Sequence, residues 1–110
     1  MKFQVNITPD FERSAKKIAK KYKSIYKDIL GLIELLEQEP HHGIALTNNL
    51  YKIRLNVTGL SKGKSGGARV ITYVKVINST VLLAEIYLKS EFDTVEESII
   101  IERLASQELL

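Results

Sequence analysis

The sequence predicts an α+β domain in the order β-α-α-β-β-β-α. It combines an antiparallel-dominated four-stranded sheet, a helical hairpin on one face of that sheet and a C-terminal helix. Three observations predict it. Apolar residues recur with a helical period over roughly residues 9–39. From residue 50 to residue 89 they fall into three strand-like runs instead. The breaks between those runs are too short for parallel crossovers, so the three strands follow one another as an antiparallel meander.

The first strand is residues 2–7, KFQVNI, where Phe3, Val5 and Ile7 share one face. Thr8-Pro9 then starts a helix, with a capping hydroxyl followed by proline at the first helical position. Phe11, Ala15, Ile18, Ala19 and Tyr22 form its apolar stripe, and Arg13, Lys16, Lys17, Lys20 and Lys21 its other face. The commonest reason for such a basic face is solvation, with phosphate contact as the sharper reading. A second helix runs from about Ser24 to Glu39 on the stripe Ile25, Ile29, Leu32, Ile33 and Leu36, and Pro40 stops it. So short a connection makes the two helices a hairpin.

The period changes at residue 50. LYKIRLNV (50–57) places Tyr51, Ile53, Leu55 and Val57 on one face and Lys52, Arg54 and Asn56 on the other. ARVITYVKVI (68–77) places Arg69, Ile71, Tyr73 and Lys75 together, and Asn78-Ser79 makes a tight turn. TVLLAEIYLK (80–89) is expected to align Leu83, Glu85, Tyr87 and Lys89. Thr94-Val95-Glu96-Glu97 matches a capping box, opening a helix through Ile99, Ile100 and Leu104 and reaching towards Leu109. With the helices on one sheet face, the other would display Lys52, Arg54, Arg69, Tyr73, Tyr87 and Lys89.

Composition narrows the function classes. The 110 residues are read as one domain, 1–110, without repeats or an interdomain linker. No apolar run approaches the roughly 18–20 residues a membrane-spanning helix needs. The chain has no cysteine, which excludes disulfides and thiolate metal sites and makes the cytoplasm the expected location. Residues 1–89 hold fifteen Lys/Arg against seven Asp/Glu, whereas residues 90–110 hold one against six. A positive body with an acidic tail suits a polyanionic partner, although solvated lysines also keep a small protein soluble.

The stretch SKGKSGGARV (61–70) looks like a triphosphate-binding loop, since Gly63-Lys64-Ser65 matches the end of that motif. The motif requires glycine five positions before Gly63, and that position is Thr58; Gly59 is one residue too close. A helix must also follow, and here a strand does. The glycines are explained by a strand connection; the cations around them suit a nucleic-acid backbone. His41-His42 reads as a surface turn, with neither a carboxylate nor a third histidine at ligand spacing. Glu85, mid-strand among apolar residues, is expected to pair with Arg54 or Arg69.

Taken together, YKIRL (51–55), GKSGGARVITY (63–73) and LLAEIYLKSE (82–91) resemble the RelE/ParE toxin superfamily, on the branch of HigB-like, phage-derived RelE members. The resemblance spans nearly the whole chain. It implies the toxin of a type II toxin–antitoxin system: a ribosome-dependent, metal-independent endoribonuclease that cleaves mRNA and inhibits translation. Partners would be a cognate antitoxin, the ribosome and mRNA, with no cofactor, no metal and no membrane. By matched position, Lys52 and Arg54 correspond to the family's basic pair, one a candidate proton acceptor. Arg69 would stabilise the phosphate and Lys89 act as an acid or phosphate contact. Lys62 and Lys64 would grip flanking phosphates, and Tyr73 or Tyr87 would stack on a base. Two positions depart from RelE, which has arginine where this chain has Ser90 and a tyrosine in its last helix, where residues 95–108 have none. The competing readings are a ParE-like poison of DNA gyrase that cuts nothing, and an inactive RNA- or antitoxin-binding domain.

Overall fold

In the computed structural model, residues 2–60, 67–92 and 95–110 are described. The chain runs β1 (Gln4–Ile7), α1 (Pro9–Ala19), α2 (Ile25–Gln38), β2 (Ile44–Ala45), β3 (Leu50–Leu55), β4 (Ala68–Lys75), β5 (Thr80–Leu88) and α3 (Glu97–Ser106). The sheet has five strands in the order β1-β5-β4-β3-β2. The expected meander is β3-β4-β5, antiparallel throughout, and β1 joins it parallel to β5.

The fifth strand corrects the expected four. β2 is two residues long, too short to show an alternating pattern. It folds back on β3 through a turn in which Asn48 and Asn49 take φ of 55° and 63°. Asparagine tolerates the left-handed region better than other non-glycine residues, so Asn48-Asn49 was the available signal.

Each helix stripe finds its place. Thr8 caps α1 by accepting from Phe11 N, while its own hydroxyl donates to Leu83 O at 2.8 Å. Phe11, Ala15 and Ile18 of α1 and Ile25, Ile29, Leu32 and Leu36 of α2 bury against Ile53, Val70, Val74, Val81, Leu83 and Ile86. This is the larger core, on one sheet face. The opposite face buries Leu50, Ile71, Leu82 and Ala84 under Ile100 and Leu104 of α3. The two helical layers thus lie on opposite faces, and α3 covers part of the face expected to be open.

One register irregularity redirects β5. Thr72 faces Leu83 but Ile71 faces Glu85, so Ala84 is an extra residue on its strand. A bulge of this kind breaks the two-residue alternation. Leu83 therefore joins the larger core, while Glu85 and Tyr87 follow Arg69 and Ile71 to the other face. The expected alignment of Leu83 with Glu85 and Tyr87 is corrected for this reason.

The helix start expected at Thr94 also moves. The N-cap is Glu96, and its side chain makes no capping hydrogen bond. Glu97, which would have closed the box, accepts from Thr47 N at 3.0 Å and from the Thr47 hydroxyl. Thr94 itself lies outside the described residues.

Candidate nucleic-acid interface

The connection at 58–67 is anchored at both ends. Thr58 donates from its N–H and its hydroxyl to Asp28 at 2.9 and 2.8 Å, and its carbonyl accepts from Ser24 Oγ at 2.8 Å. At the far end Gly67 has φ +77°, and a Cβ there would lie 2.7 Å from Leu55 O. No side chain fits that approach, so this glycine is a steric requirement of the β3–β4 pairing. Lys62 and Lys64 lie outside the described residues.

The strands emerging from this corner bring cations together. Arg54 on β3 stands directly opposite Arg69 on β4, and Arg69 opposite Tyr87 on β5. Lys89, just past β5, donates its N–H to Gly67 O at 3.0 Å, which puts it at the same end of the sheet. Lys52 sits one rung away, opposite Ile71. Two arginines directly opposed on one face repel, and a sheet chosen for stability alone would avoid them. Such a pair becomes favourable when an anion lies between the guanidinium groups.

The rung is less open than expected. Arg54 is exposed and Lys52 and Lys89 are half-buried, but Arg69 is only 7% exposed and Tyr87 only 5%. Arg69 Nη1 donates to Ala68 O at 3.2 Å. The Tyr87 ring meets Phe92 edge-on at 6.2 Å, so Tyr87 is a packing neighbour of Arg69 and offers no open stacking surface. Burial raises the Tyr87 hydroxyl pKa, opposed by the positive charge of Arg69. Tyr73 is half-buried and lies four residues along β4 from Arg69, roughly 13 Å away at strand spacing. The structure therefore groups Arg54, Arg69 and Lys89, with Lys52 adjacent, and leaves Tyr73 apart.

One contact differs from expectation. Glu85 pairs with Arg103 of α3, at 3.4 Å, instead of with Arg54 or Arg69. The reason is register: Glu85 stands opposite Ile71, one rung from the arginine pair, under α3. His41 is exposed in a turn, as expected, with its ring edge-on to Tyr51 at 5.5 Å and Phe3 at 6.4 Å. Among the described residues no cluster of three or more His, Cys, Asp or Glu could hold a metal.

α3 brings one acid of the C-terminal segment, Glu97, to Thr47 and within reach of the Lys52 charge. Hydrogen bonds from the Thr47 hydroxyl and N–H, helped by the Lys52 charge, hold the Glu97 carboxyl below the usual glutamate range. Its contribution to stability is fully present above the unfolded-state value, about 4.3, and is lost as pH falls through the lower folded value. Glu97→Gln should therefore melt below wild type at pH 7, and the two melting curves should converge on acidification below about pH 4.3. An equal gap in melting temperature at pH 7 and pH 3 would remove Glu97 from this account.

No protein-family model matches the sequence, and no curated protein does. Among solved structures, the chain is similar to the E. coli toxin RelE, a mutant with two arginines replaced by alanine, in the free state. The TM-score is 0.59 at 13% identity, over 97% of this chain and 98% of that one. The fold is RelE-like. At this identity the RelE-like fold is what is established; no helix among the described residues is long and apolar enough to cross a membrane.

Proposed function

We propose that this chain is the toxin of a type II toxin–antitoxin pair of the HigB-like kind, a ribosome-dependent mRNA endonuclease needing no metal. The observation that carries this reading is the opposed pair Arg54–Arg69 with Lys89 at the same corner of a RelE-like sheet. The partners are a cognate antitoxin, which silences it, and the translating ribosome, which presents the message in the cytoplasm.

The reaction is transesterification within the RNA strand. The 2′-oxygen attacks the adjacent phosphorus as its proton passes to the Lys52 amine. The bond from phosphorus to the 5′-oxygen breaks, leaving a 2′,3′-cyclic phosphate. Lys89 donates the proton that turns the departing oxygen into a 5′-hydroxyl. Between these steps the phosphorane carries extra negative charge, which Arg69 and Arg54 stabilise. The shielded position of Arg69 strengthens that attraction, because the local dielectric is lower than in water. Lys62 and Lys64 hold flanking phosphates, and Tyr73 contributes an aromatic surface for a base.

Induced expression followed by mapping of mRNA 5′ ends tests this directly. New 5′-hydroxyl ends on translated messages, absent from untranslated ones, are the expected result. Intact mRNA alongside double-strand breaks in DNA would replace this reading with gyrase poisoning.

A further inference from the structure

The lysines of the helical hairpin take no part in the site described above. Half of the chain's twelve lysines, Lys16, Lys17, Lys20, Lys21, Lys23 and Lys27, fall within residues 16–27, and no acid lies between Glu12 and Asp28. All six are exposed. Among the described residues none of them makes an ion pair. Of the flanking acids, Asp10 pairs with Arg13 at 2.9 Å, and Asp28 accepts from the N–H and the hydroxyl of Thr58.

Solubility and helix stability do not account for this arrangement. A surface chosen for solubility intersperses the two signs of charge. At about 100° per residue, Lys16, Lys17 and Lys20 share roughly 100° of the α1 circumference, opposite the buried Phe11, Ala15 and Ile18. Lys16 and Lys20 stand one turn apart and repel. The α1 dipole favours cations at its C-terminal end, which accounts for Lys16, Lys17 and Lys20. Lys23 and Lys27 flank the start of α2 at Ile25, the end where a helix dipole disfavours cations. The two helix ends meet in the hairpin turn, so one band of positive charge crosses from α1 to α2.

α1 and α2 cover the sheet face opposite the one that carries Arg69 and Tyr87, so the band points away from the corner proposed for cleavage. No large apolar side chain is exposed between Ile7 and Tyr26. The outer face of α1 therefore has neither a stacking platform for unpaired bases nor a wedge for a lipid surface. Mobile point charges on a convex helix suit a ligand that repeats its phosphates along a rigid backbone. We propose that this lysine band is a second nucleic-acid surface, which grips double-helical RNA by its phosphates and without reading sequence. The opposite sheet face stays free for the single strand that is cut. The choice of RNA over DNA rests on the proposed cleavage; the band itself does not.

Fluorescence anisotropy of the full chain with a blunt RNA duplex of about 20 base pairs tests this. A plot of log affinity against log salt concentration should slope at about −4 or steeper. Lys16→Gln, Lys20→Gln, Lys23→Gln and Lys27→Gln, combined in one variant, keep good helix formers at exposed positions. That variant should bind about tenfold or more weaker at roughly 50 mM salt, with a slope shallower by about three. Arg69→Ala should bind the duplex as wild type does. Lysine acetylation read by mass spectrometry supplies a footprint on the unaltered chain: the duplex should slow labelling of the six lysines and leave the exposed Lys2 unchanged. The proposal fails if no duplex binds at that salt, if the combined variant binds like wild type, or if the footprint misses the band. Loss of the duplex by Arg69→Ala would place it on the cleavage corner and overturn the proposal. Tighter binding of poly(U), of a DNA duplex of the same sequence or of phosphatidylserine vesicles through the same lysines would assign the band to that ligand and overturn it equally. The two readings fail separately: intact mRNA on induction removes the cleavage, and an unbound duplex removes the band.

Discussion

Arg69→Ala is expected to lower mRNA cleavage by roughly 100-fold or more, the usual cost of removing one preorganised donor to a developing charge. Growth inhibition on induction should disappear with it. Stability should move little, by under about 1 kcal/mol, because two effects oppose each other. The largely buried stem loses packing, but repulsion from the directly opposed Arg54 is relieved. Arg69→Lys keeps the charge and loses the planar fork, so its rate should fall between the two. Cleavage assays on translated messages, run beside thermal melts of each variant, separate the outcomes. Wild-type cleavage by Arg69→Ala would remove it from the site; loss of cleavage in parallel with unfolding would reduce it to a structural residue.

Phe11→Ala should cost about 3–5 kcal/mol, a large share of the roughly 5–15 kcal/mol available to a domain this size. Phe11 is 1% exposed and sits in the first turn of α1, within the larger core. Alanine has the higher helix propensity, and the Thr8 cap bonds the backbone N–H, which the substitution leaves in place. The loss therefore reports the cavity and the lost apolar burial. The expected fall in melting temperature is about 12–20 °C, at roughly 4 °C per kcal/mol. A fall of less than about 4 °C, near 1 kcal/mol, would mean that the space below α1 collapses around the smaller side chain.

Much of the candidate site's geometry was legible in the sequence, for reasons particular residues show. Lys52 and Arg54 alternate with Tyr51, Ile53 and Leu55, so the pleat alone fixes their common face. Arg69 follows from the same rule on β4. The direct opposition of Arg54 and Arg69 was not legible, since register depends on the β3–β4 connection and on the close approach that Gly67 permits. Separating Leu83 from Glu85 and Tyr87 needed the bulge at Ala84, which no local pattern in an apolar run announces. The burial of Tyr87, and the pairing of Glu85 with Arg103, needed α3 in place.

By itself, the sequence determined the kinds of element and their order, the stripes that face the larger core and the cationic character of β3 and β4. These depend on periodicity, capping and charge, which act over a few residues. Only the tertiary structure decided that α3 covers the second face, that the arginine pair is partly shielded and that β1 pairs with only the first half of β5. Each depends on contacts between segments far apart in the chain, where packing and register outweigh local preference.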